Sequence, residues 1–311
     1  MEPLAHALAG SAIARAGFQK TLPPARATLV AVVAANIADV DLAELLWASE
    51  EQFVYHHRTI THSLLGWLVA SASLGVIFNR IWSDMALRPL LALISLAYGS
   101  HIAMDLLTPW GTRVFYPFSN IPYSGRTTFI VDAGFWIILG APWVFRTWIS
   151  EIRAFRFAIL FLALFVMLCA LNRQVASVGL RHMLHRTQTP VTKTAVYPAL
   201  FAPVSWNAVA QGETHTHQSF MTLPFGSNAF ERSLPHNLGH PAVRKLMETH
   251  GMDYFLWAQF PVAELNEEPG GILRVVIRDF RFARRYSGEI GGFVFERRMK
   301  LDKEGRWFEL N

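Results

Sequence analysis

The sequence predicts an α-helical, multi-pass membrane domain of four to five spans with an additional N-terminal helix, followed by a soluble, mostly β (α+β) domain. Two observations predict this. Hydrophobic residues make up 52% of the 311 residues and charged residues only 16%, which is too apolar for an average soluble enzyme. Apolar segments of spanning length, about 20 residues at ~1.5 Å each, all precede residue 173, whereas most charges and strand-like runs follow it. The predicted domains are therefore residues 1–172 and 173–311.

The membrane domain is predicted to begin with an amphipathic helix, because the opening segment Leu4 to Phe18 is rich in alanine. Five apolar segments approach spanning length: Thr28 to Trp47, Ile60 to Asn79, Leu87 to Leu107, Phe129 to Ile149 and Phe155 to Asn172. Aspartates interrupt the first of these segments, so we expect its helix to break there. Irregular backbone in a bilayer needs a polar cavity or a bound ion.

The second domain is predicted to be mostly antiparallel sheet. Three runs have the composition and alternation of strands: Tyr254 to Val262, Ile272 to Phe282 and Gly292 to Leu301. The sequence EEPGG at Glu267 to Gly271 lies between the first two runs and predicts a hairpin turn. We expect this domain to be tethered to the last span.

Polar residues cluster at one predicted membrane depth. The run HRTITH, from His57 to His62, opens one apolar segment, and His101 and Asp105 lie near the end of the next. Consecutive spans run antiparallel, so His62 and His101 are expected to meet on one side of the membrane. His101 and Asp105 are four residues apart and therefore share a helical face. Ionisable residues near hydrocarbon are costly, which makes them a functional hypothesis.

This pattern predicts a site for divalent metal. Four imidazoles and three carboxylates are more than one tetrahedral zinc needs, which leaves either a two-metal site or one metal with outer partners. Buried carboxylates without cations would cost several kcal/mol each, so we expect one or two ions: zinc, or alternatively manganese or iron. The single Cys169 excludes a thiolate zinc site within the chain. The counted residues are His6, Asp39, Asp41, His57, His62, His101 and Asp105.

Some of these residues also have simpler interpretations. Taken alone, His6 is expected to be a surface or capping residue, and Thr61 to satisfy a helix start. Asp132 begins the next span on the same side and is expected to cap it. Asp39 and Asp41 are two residues apart, so a regular helix would splay them. Either the helix breaks there, or one carboxylate is a ligand and the other an outer partner.

Basic residues divide unequally between the two predicted sides of the membrane. Arg58, Arg113 and Arg126 fall on the side of the site, where they could bind an anionic phosphate. The positive-inside rule then places the site and the second domain outside the cytoplasm. The basic residues of the opposite side are Arg15, Lys20, Arg26, Arg80, Arg88, Arg146, Arg153 and Arg156.

Four stretches of the chain resemble a known family: MEPLAHALAG, ANIADVD, HHRTITHSLLG and YGSHIAMDLLTPWGTRVFYPFS. They are similar to the bacterial membrane-bound metal-dependent hydrolases of the YdjM type, also described as LexA-binding, inner-membrane-associated hydrolases. The resemblance covers about the first half of the chain and implies a multi-pass inner-membrane protein with hydrolase activity. Zinc-dependent phospholipase C is more loosely similar, because the chain lacks an obvious later His-x-x-x-Glu element. The family pattern falls on His6, Asp39, Asp41, His57, Arg58, Thr61, His62, His101 and Asp105.

The combined hypothesis is a membrane-bound hydrolase that uses divalent metal to activate water against an ester, such as a phosphoester of a lipid or lipid-linked molecule. An ion- or proton-coupled transporter is the first alternative, although its polar residues would spread through the bilayer depth. A scaffold or regulatory membrane protein is the second. No basic tract is interleaved with aromatics, so the expected partners are the bilayer and a small-molecule or lipid substrate, not nucleic acid. The predicted ligands are His6, Asp39, His57, His62, His101 and Asp105, and the predicted catalytic groups are Asp41, Arg58 and Thr61.

Overall fold

The computed structural model describes residues 1–200, 203–224, 229–248, 252–282, 294–302 and 304–310. The chain forms two compact units. The first consists of Met1–Ala43, Arg58–Leu171 and Leu200–Pro203, and the second of Glu44–His57, Asn172–Ala199 and Val204–Asn311. The predicted domain boundary after residue 172 stays a prediction.

Helices make up most of the first unit. Two 3₁₀ segments matter for the site, Ile37–Leu46 after α2 and Ile60–His62 before α4. The predicted break in the first apolar segment is confirmed, because α2 ends at Asn36 and the 3₁₀ segment follows it directly. The helices up to residue 187 are α1 Pro3–Arg15, α2 Pro24–Asn36, α3 Glu50–His56, α4 Leu64–Ile81, α5 Leu87–Leu106, α6 Ala133–Gly140, α7 Pro142–Phe145 and α8 Glu151–Thr187. Of these, α3 belongs to the second unit, and α8 contributes to both.

Small residues allow α1 and α2 to pack closely. A Cβ added at Gly10 would lie 2.5 Å from the carbonyl oxygen of Ala31, so only glycine fits at this crossing. Both helices also contact α5, whose buried Leu93 and Ile94 lie in one core with the alanines of α2. This packing buries the N-terminal part of α1 beside the C-terminal part of α5, where the predicted site residues lie.

Three of the described helices are long and apolar enough to cross a membrane: α4, α5 and α8. Much of their surface is apolar and exposed, as for Leu68 at 58% and Phe161 at 57%. The predicted span Phe129 to Ile149 instead forms the shorter pair α6 and α7, with only Ala133–Phe145 helical. The structure thus supports up to three candidate spans, and the predicted number of four to five is not confirmed.

The second unit contains two four-stranded antiparallel sheets, each with its strands in sequence order. This confirms the predicted β-rich architecture of the C-terminal part. The first sheet is formed by β1 Lys193–Pro198, β2 Ser205–Gln211, β3 His215–Thr222 and β4 Arg232–Pro235. The second is formed by β5 Pro261–Glu268, β6 Ile272–Asp279, β7 Val294–Leu301 and β8 Trp307–Glu309. Two helices lie between them in the chain, α9 Pro241–Glu248 and α10 Met252–Trp257.

The predicted hairpin is confirmed, since Glu268 pairs with Ile272 and the two glycines between them have φ of +84° and +71°. The predicted strand from Tyr254 to Val262 is wrong in its first part, which forms α10. Tyr254 and Trp257 are both buried, and their spacing of three fits one face of a helix. Of the third predicted run, residues 292 and 293 lie outside the described residues.

Candidate metal centre

The centre of the first unit is built on the C-terminal half of α5. His101 and Asp105 both lie on its buried face and are fully buried, as their spacing predicts. Tyr98, one turn earlier, donates a hydrogen bond to the carbonyl oxygen of Thr61 at 2.6 Å. This bond fixes the 3₁₀ turn Ile60–His62 against α5, which brings His62 to the level of His101.

The turn that carries His62 is also fixed to the start of α4. Ser63 caps α4 by accepting a hydrogen bond from the Gly66 backbone N–H at 3.0 Å. A Cβ at Gly66 would lie 2.0 Å from the carbonyl oxygen of Ile60, so a side chain at this position would force the turn away from the helix. The position of His62 therefore depends on a glycine in the first turn of α4.

Four side chains converge on a common centre: Asp39, His62, His101 and Asp105. The two imidazole Nε2 atoms are 3.0 Å apart. Asp105 Oδ2 lies 3.2 Å from the Nε2 of His62 and 3.4 Å from that of His101, and the corresponding distances from Asp39 Oδ1 are 3.4 and 3.5 Å. A tetrahedral site with bonds of 2.0–2.1 Å has ligand-to-ligand edges of about 3.3 Å. Five of the six edges therefore match such a site, and the sixth is within 4.8 Å.

The Nδ1 atom of each of the two imidazoles, His62 and His101, is held by a neighbouring oxygen. His101 Nδ1 lies 2.7 Å from the carbonyl oxygen of Ala35, which can only accept, so Nδ1 carries the proton. His62 Nδ1 lies 2.9 Å from Thr61 Oγ1, and that hydroxyl donates to Asp41 Oδ2 at 3.0 Å. When both rings are neutral, these bonds leave the Nε2 lone pair of each ring directed at the common centre. Metal-binding histidines are typically oriented by such partners.

Asp105 is anchored in the same way. Its Oδ1 lies 3.0 Å from Nη2 of Arg58, and the α-ammonium group of Met1 also pairs with it. Its Oδ2 accepts no hydrogen bond in the described part of the chain and faces the two imidazoles. Arg58 is itself buried, donates from Nη1 to Thr108 Oγ1 at 2.8 Å, and has a φ of +67°. The guanidinium therefore compensates and orients Asp105.

His6 lies against this group without being one of the four converging residues. Its ring stacks on that of His101 with centroids 3.7 Å apart, and its Nε2 is 3.5 Å from Asp105 Oδ1. The side chain is fully buried, and neither ring nitrogen has a hydrogen-bond partner among the described residues. Burial lowers the pKa of His6 to about 3, so the ring is neutral. The interpretation of His6 as a surface residue is wrong, because α1 packs this turn into the core.

Interactions within the group determine the protonation of His62 and Asp39. Burial disfavours a charged imidazole, but the carboxylates of Asp105, Asp39 and Asp41, which can accept from the protonated ring, outweigh it and raise the pKa of His62 to about 10. Burial likewise disfavours the charged form of Asp39, yet hydrogen bonds from His101 and His62 hold its pKa below the usual range. Asp39 therefore stays ionised, and a proton on His62 adds positive charge to that of Arg58.

The other predicted residues lie outside this four-residue group. Asp41 and Thr61 are outer partners of His62, as described above. His57 belongs to the second unit, where it is buried and stacks on Phe53 at 5.1 Å, and its role as a ligand stays a prediction. Arg113 is buried and donates from Nε to the carbonyl oxygen of Asn120 at 3.2 Å. Asp132 caps α6 by accepting from Gly134 N at 2.9 Å, which confirms the capping interpretation.

Three supporting groups were missed at the sequence level. They are the hydroxyls of Tyr98 and Thr108 and the carbonyl oxygen of Ala35. Spacing could have indicated the first two. Tyr98 lies three residues before His101 in α5, and Thr108 lies three residues after Asp105, just beyond the end of the helix. A backbone carbonyl leaves no sequence signal, so the partner of His101 Nδ1 could be found only in the structure.

Residues 1–176 match the family model described as YdjM inner membrane protein. The chain belongs to this family. The match includes all four converging residues and their outer partners, and it confirms the resemblance carried by the N-terminal motifs. The family description and the three apolar helices together support an inner-membrane protein. The search of curated proteins found no match, and the search of solved structures found none either.

Proposed function

We propose that the four-residue group of this YdjM family member binds a divalent cation, and that the protein is a multi-pass membrane hydrolase of an ester, in particular a phosphoester of a lipid or lipid-linked molecule. One observation supports this most strongly. Each of His62, His101 and Asp105 is anchored at one side-chain atom and presents its other polar atom to the same point. If these side chains only formed hydrogen bonds with one another, their polar atoms would not need to meet at a single point.

The donor set fits a divalent ion. Two carboxylates and two neutral imidazoles would balance its charge, and Asp105 Oδ2, which lies 3.2 Å from His62 Nε2, would bind the ion in place of that contact. Nitrogen and carboxylate donors at tetrahedral spacing suit zinc, and manganese or iron is also compatible with them. When bound, such an ion lowers the pKa of water and polarises an ester or phosphoryl oxygen. A second ion, as the surplus of predicted ligands allows, is also part of the proposal.

The protein groups have separate roles in this proposal. Arg58 balances and orients Asp105, and Asp41 acts through Thr61 to hold the proton on His62 Nδ1. Asp39 and Asp41 retain side-chain exposures of 11% and 12%, whereas His62, His101 and Asp105 have none. Water and substrate therefore approach from the side of the two aspartates, where Asp41 could also accept a proton.

A lipid substrate is supported by the loop of residues 113–123. This loop is joined to the site region by a backbone hydrogen bond from Arg113 N to the carbonyl oxygen of Arg58 at 3.0 Å. It exposes Phe118 at 88% and Ile121 at 60% of their surface. Exposed aromatic and aliphatic residues of this kind mark membrane contact. By the positive-inside rule, we place this loop and the site on the extracytoplasmic side.

Metal-dependent hydrolysis by the detergent-purified chain tests the proposal. Phosphodiester and phosphomonoester substrates, soluble and lipid-borne, would be screened with zinc, manganese or iron. We expect turnover that needs metal and falls by roughly 100-fold or more in Asp39→Asn, since each ligand contributes charge and geometry. Asp84→Asn, an exposed aspartate paired with Arg26, is the matched control. Metal binding with ion flux and no turnover would instead indicate a transporter, and no metal binding would favour a scaffold.

A further inference from the structure

A groove lies at the opposite end of α1 from the candidate metal centre. Ten residues separate His6 from Ala16, which corresponds to about 15 Å along the helix. There the structure has an open groove of about 490 Å³, bounded by the end of α1, the 3₁₀ turn Phe18–Lys20, α5 and α8. We infer that this groove binds an anionic phospholipid, with one acyl chain in the groove and the phosphate at its rim.

The lining of the groove suits an acyl chain. Ile13, Phe18, Leu96 and Ile159 make most of it apolar. Two of its walls, α5 and α8, are candidate membrane spans, so the groove would open towards lipid. Leu96 is 55% and Ile159 39% exposed, which leaves apolar surface for a ligand to cover.

Arg156 supplies the charge at the rim. Its Nε donates to the carbonyl oxygen of Ala16 at 2.8 Å, which fixes the guanidinium beside the end of α1. In the part of the chain that the structure describes, Arg156 forms no ion pair with a carboxylate. The neighbouring Arg15 differs, because it pairs with Glu151 and lies 4.3 Å from the ring of Trp143. Arg156 therefore keeps donors that a ligand can use.

These features point to a lipid phosphate. A guanidinium binds phosphate oxygens through paired hydrogen bonds, and the Thr21 hydroxyl also lines the groove. Lys20 directly precedes Thr21 in the chain and is exposed, so the local field favours a lipid with net negative charge over a zwitterionic one. Basic pockets between membrane helices bind anionic headgroups in this way. The inference does not rest on the metal centre or on hydrolysis.

Lipid retention by the full-length protein tests this inference. The protein would be purified in detergent, stripped of lipid and titrated with phosphatidylglycerol or phosphatidylcholine of identical acyl chains, and bound lipid would be counted by native mass spectrometry. We expect one phosphatidylglycerol to bind about tenfold more tightly than phosphatidylcholine. Arg156→Gln, which removes the charge, and Ala16→Leu, which fills the groove, should each weaken binding about tenfold. Inorganic phosphate should not compete, because it lacks the acyl chain.

Two variants serve as controls. Arg153→Gln removes an exposed charge from the same helix, and Ala72→Leu enlarges an exposed residue of α4 that does not line the groove. Both should bind phosphatidylglycerol like the wild type. Equal binding of the two lipids, unchanged binding by Arg156→Gln and Ala16→Leu, equal losses in the controls, or displacement by inorganic phosphate would each overturn the inference.

Discussion

The substitution Asp41→Asn tests how the outer partners of the metal centre act. In the structure, His62 Nδ1 contacts Thr61 Oγ1 at 2.9 Å, and this hydroxyl donates to Asp41 Oδ2 at 3.0 Å. The direct distance from His62 Nδ1 to Asp41 Oδ2 is 3.4 Å. Asparagine keeps the size of the side chain and one acceptor oxygen, but it removes the negative charge near the proposed ion.

The expected loss follows from this geometry. Changing an outer partner of a metal-binding histidine typically costs 10- to 100-fold in metal affinity. Because Thr61 still contacts His62 Nδ1 in the variant, we expect the lower end of this range. A Kd about tenfold higher corresponds to about 1.4 kcal/mol. The ion held by the four converging residues should stay bound, since Asp41 is not one of them.

The assay is a competition titration of metal-free, detergent-purified protein against a fluorescent zinc chelator. It reports both Kd and stoichiometry, and Asp84→Asn serves as the control because Asp84 is exposed and pairs with Arg26. An unchanged Kd for Asp41→Asn would refute the orienting role of Asp41. Complete loss of the bound ion would also refute the orienting role, because Asp41 would then be a ligand itself.

Three further predictions concern pH, helix packing and the second unit. Metal uptake should release a proton, because the ion replaces the proton that His62 retains up to about pH 10. The affinity for metal should therefore rise about tenfold for each unit by which the pH increases towards that value. A Kd independent of pH between 6 and 8 would contradict this. Gly10→Ala should lower the free energy of unfolding by roughly 1–3 kcal/mol through overpacking, whereas Gly140→Ala, with open space around it, should not, as measured by denaturation in detergent. Asp279→Asn should cost roughly 3–5 kcal/mol by the same measurement, because it removes the carboxylate charge that lies 2.7 Å from the buried Arg281. A loss below 1 kcal/mol would argue against this ion pair.

The central part of the site was predictable because its spacing is local. Leu87 to Leu107 was predicted as one span and forms α5, Leu87–Leu106. Within a helix, a spacing of four places His101 and Asp105 on one face. The antiparallel order of neighbouring apolar segments was enough to bring His62 to the same level.

The rest of the site depends on contacts between residues distant in sequence. Arg58 was predicted to bind an anionic substrate, but its guanidinium lies against Asp105, 47 residues away in the chain. Its backbone is also left-handed, at φ +67°, and no local sequence pattern indicates this contact. His6 was ambiguous for a similar reason, since α1 packs against α2 and α5 and the His6 ring stacks on that of His101.

The predicted number of four to five spans is not confirmed, because apolar composition does not fix helix length. The segment Phe129 to Ile149 includes Pro142, and its helices are only α6, Ala133–Gly140, and α7, Pro142–Phe145. Proline removes a backbone donor and is tolerated in the first turn of a helix, where α7 places it. In the second unit, aromatic residues favoured a strand at Tyr254, but their spacing of three was that of a helix.

Metal analysis of the purified protein tests the central claim most directly. Detergent-purified wild type and the double variant His62→Ala, His101→Ala would be compared by elemental mass spectrometry, with His215→Ala, His217→Ala in the second unit as the matched control. We predict one to two equivalents of zinc, manganese or iron in the wild type and in the control, and a sharp fall in the double variant. A wild type without metal, or a double variant that keeps the full amount, would contradict the proposed metal centre.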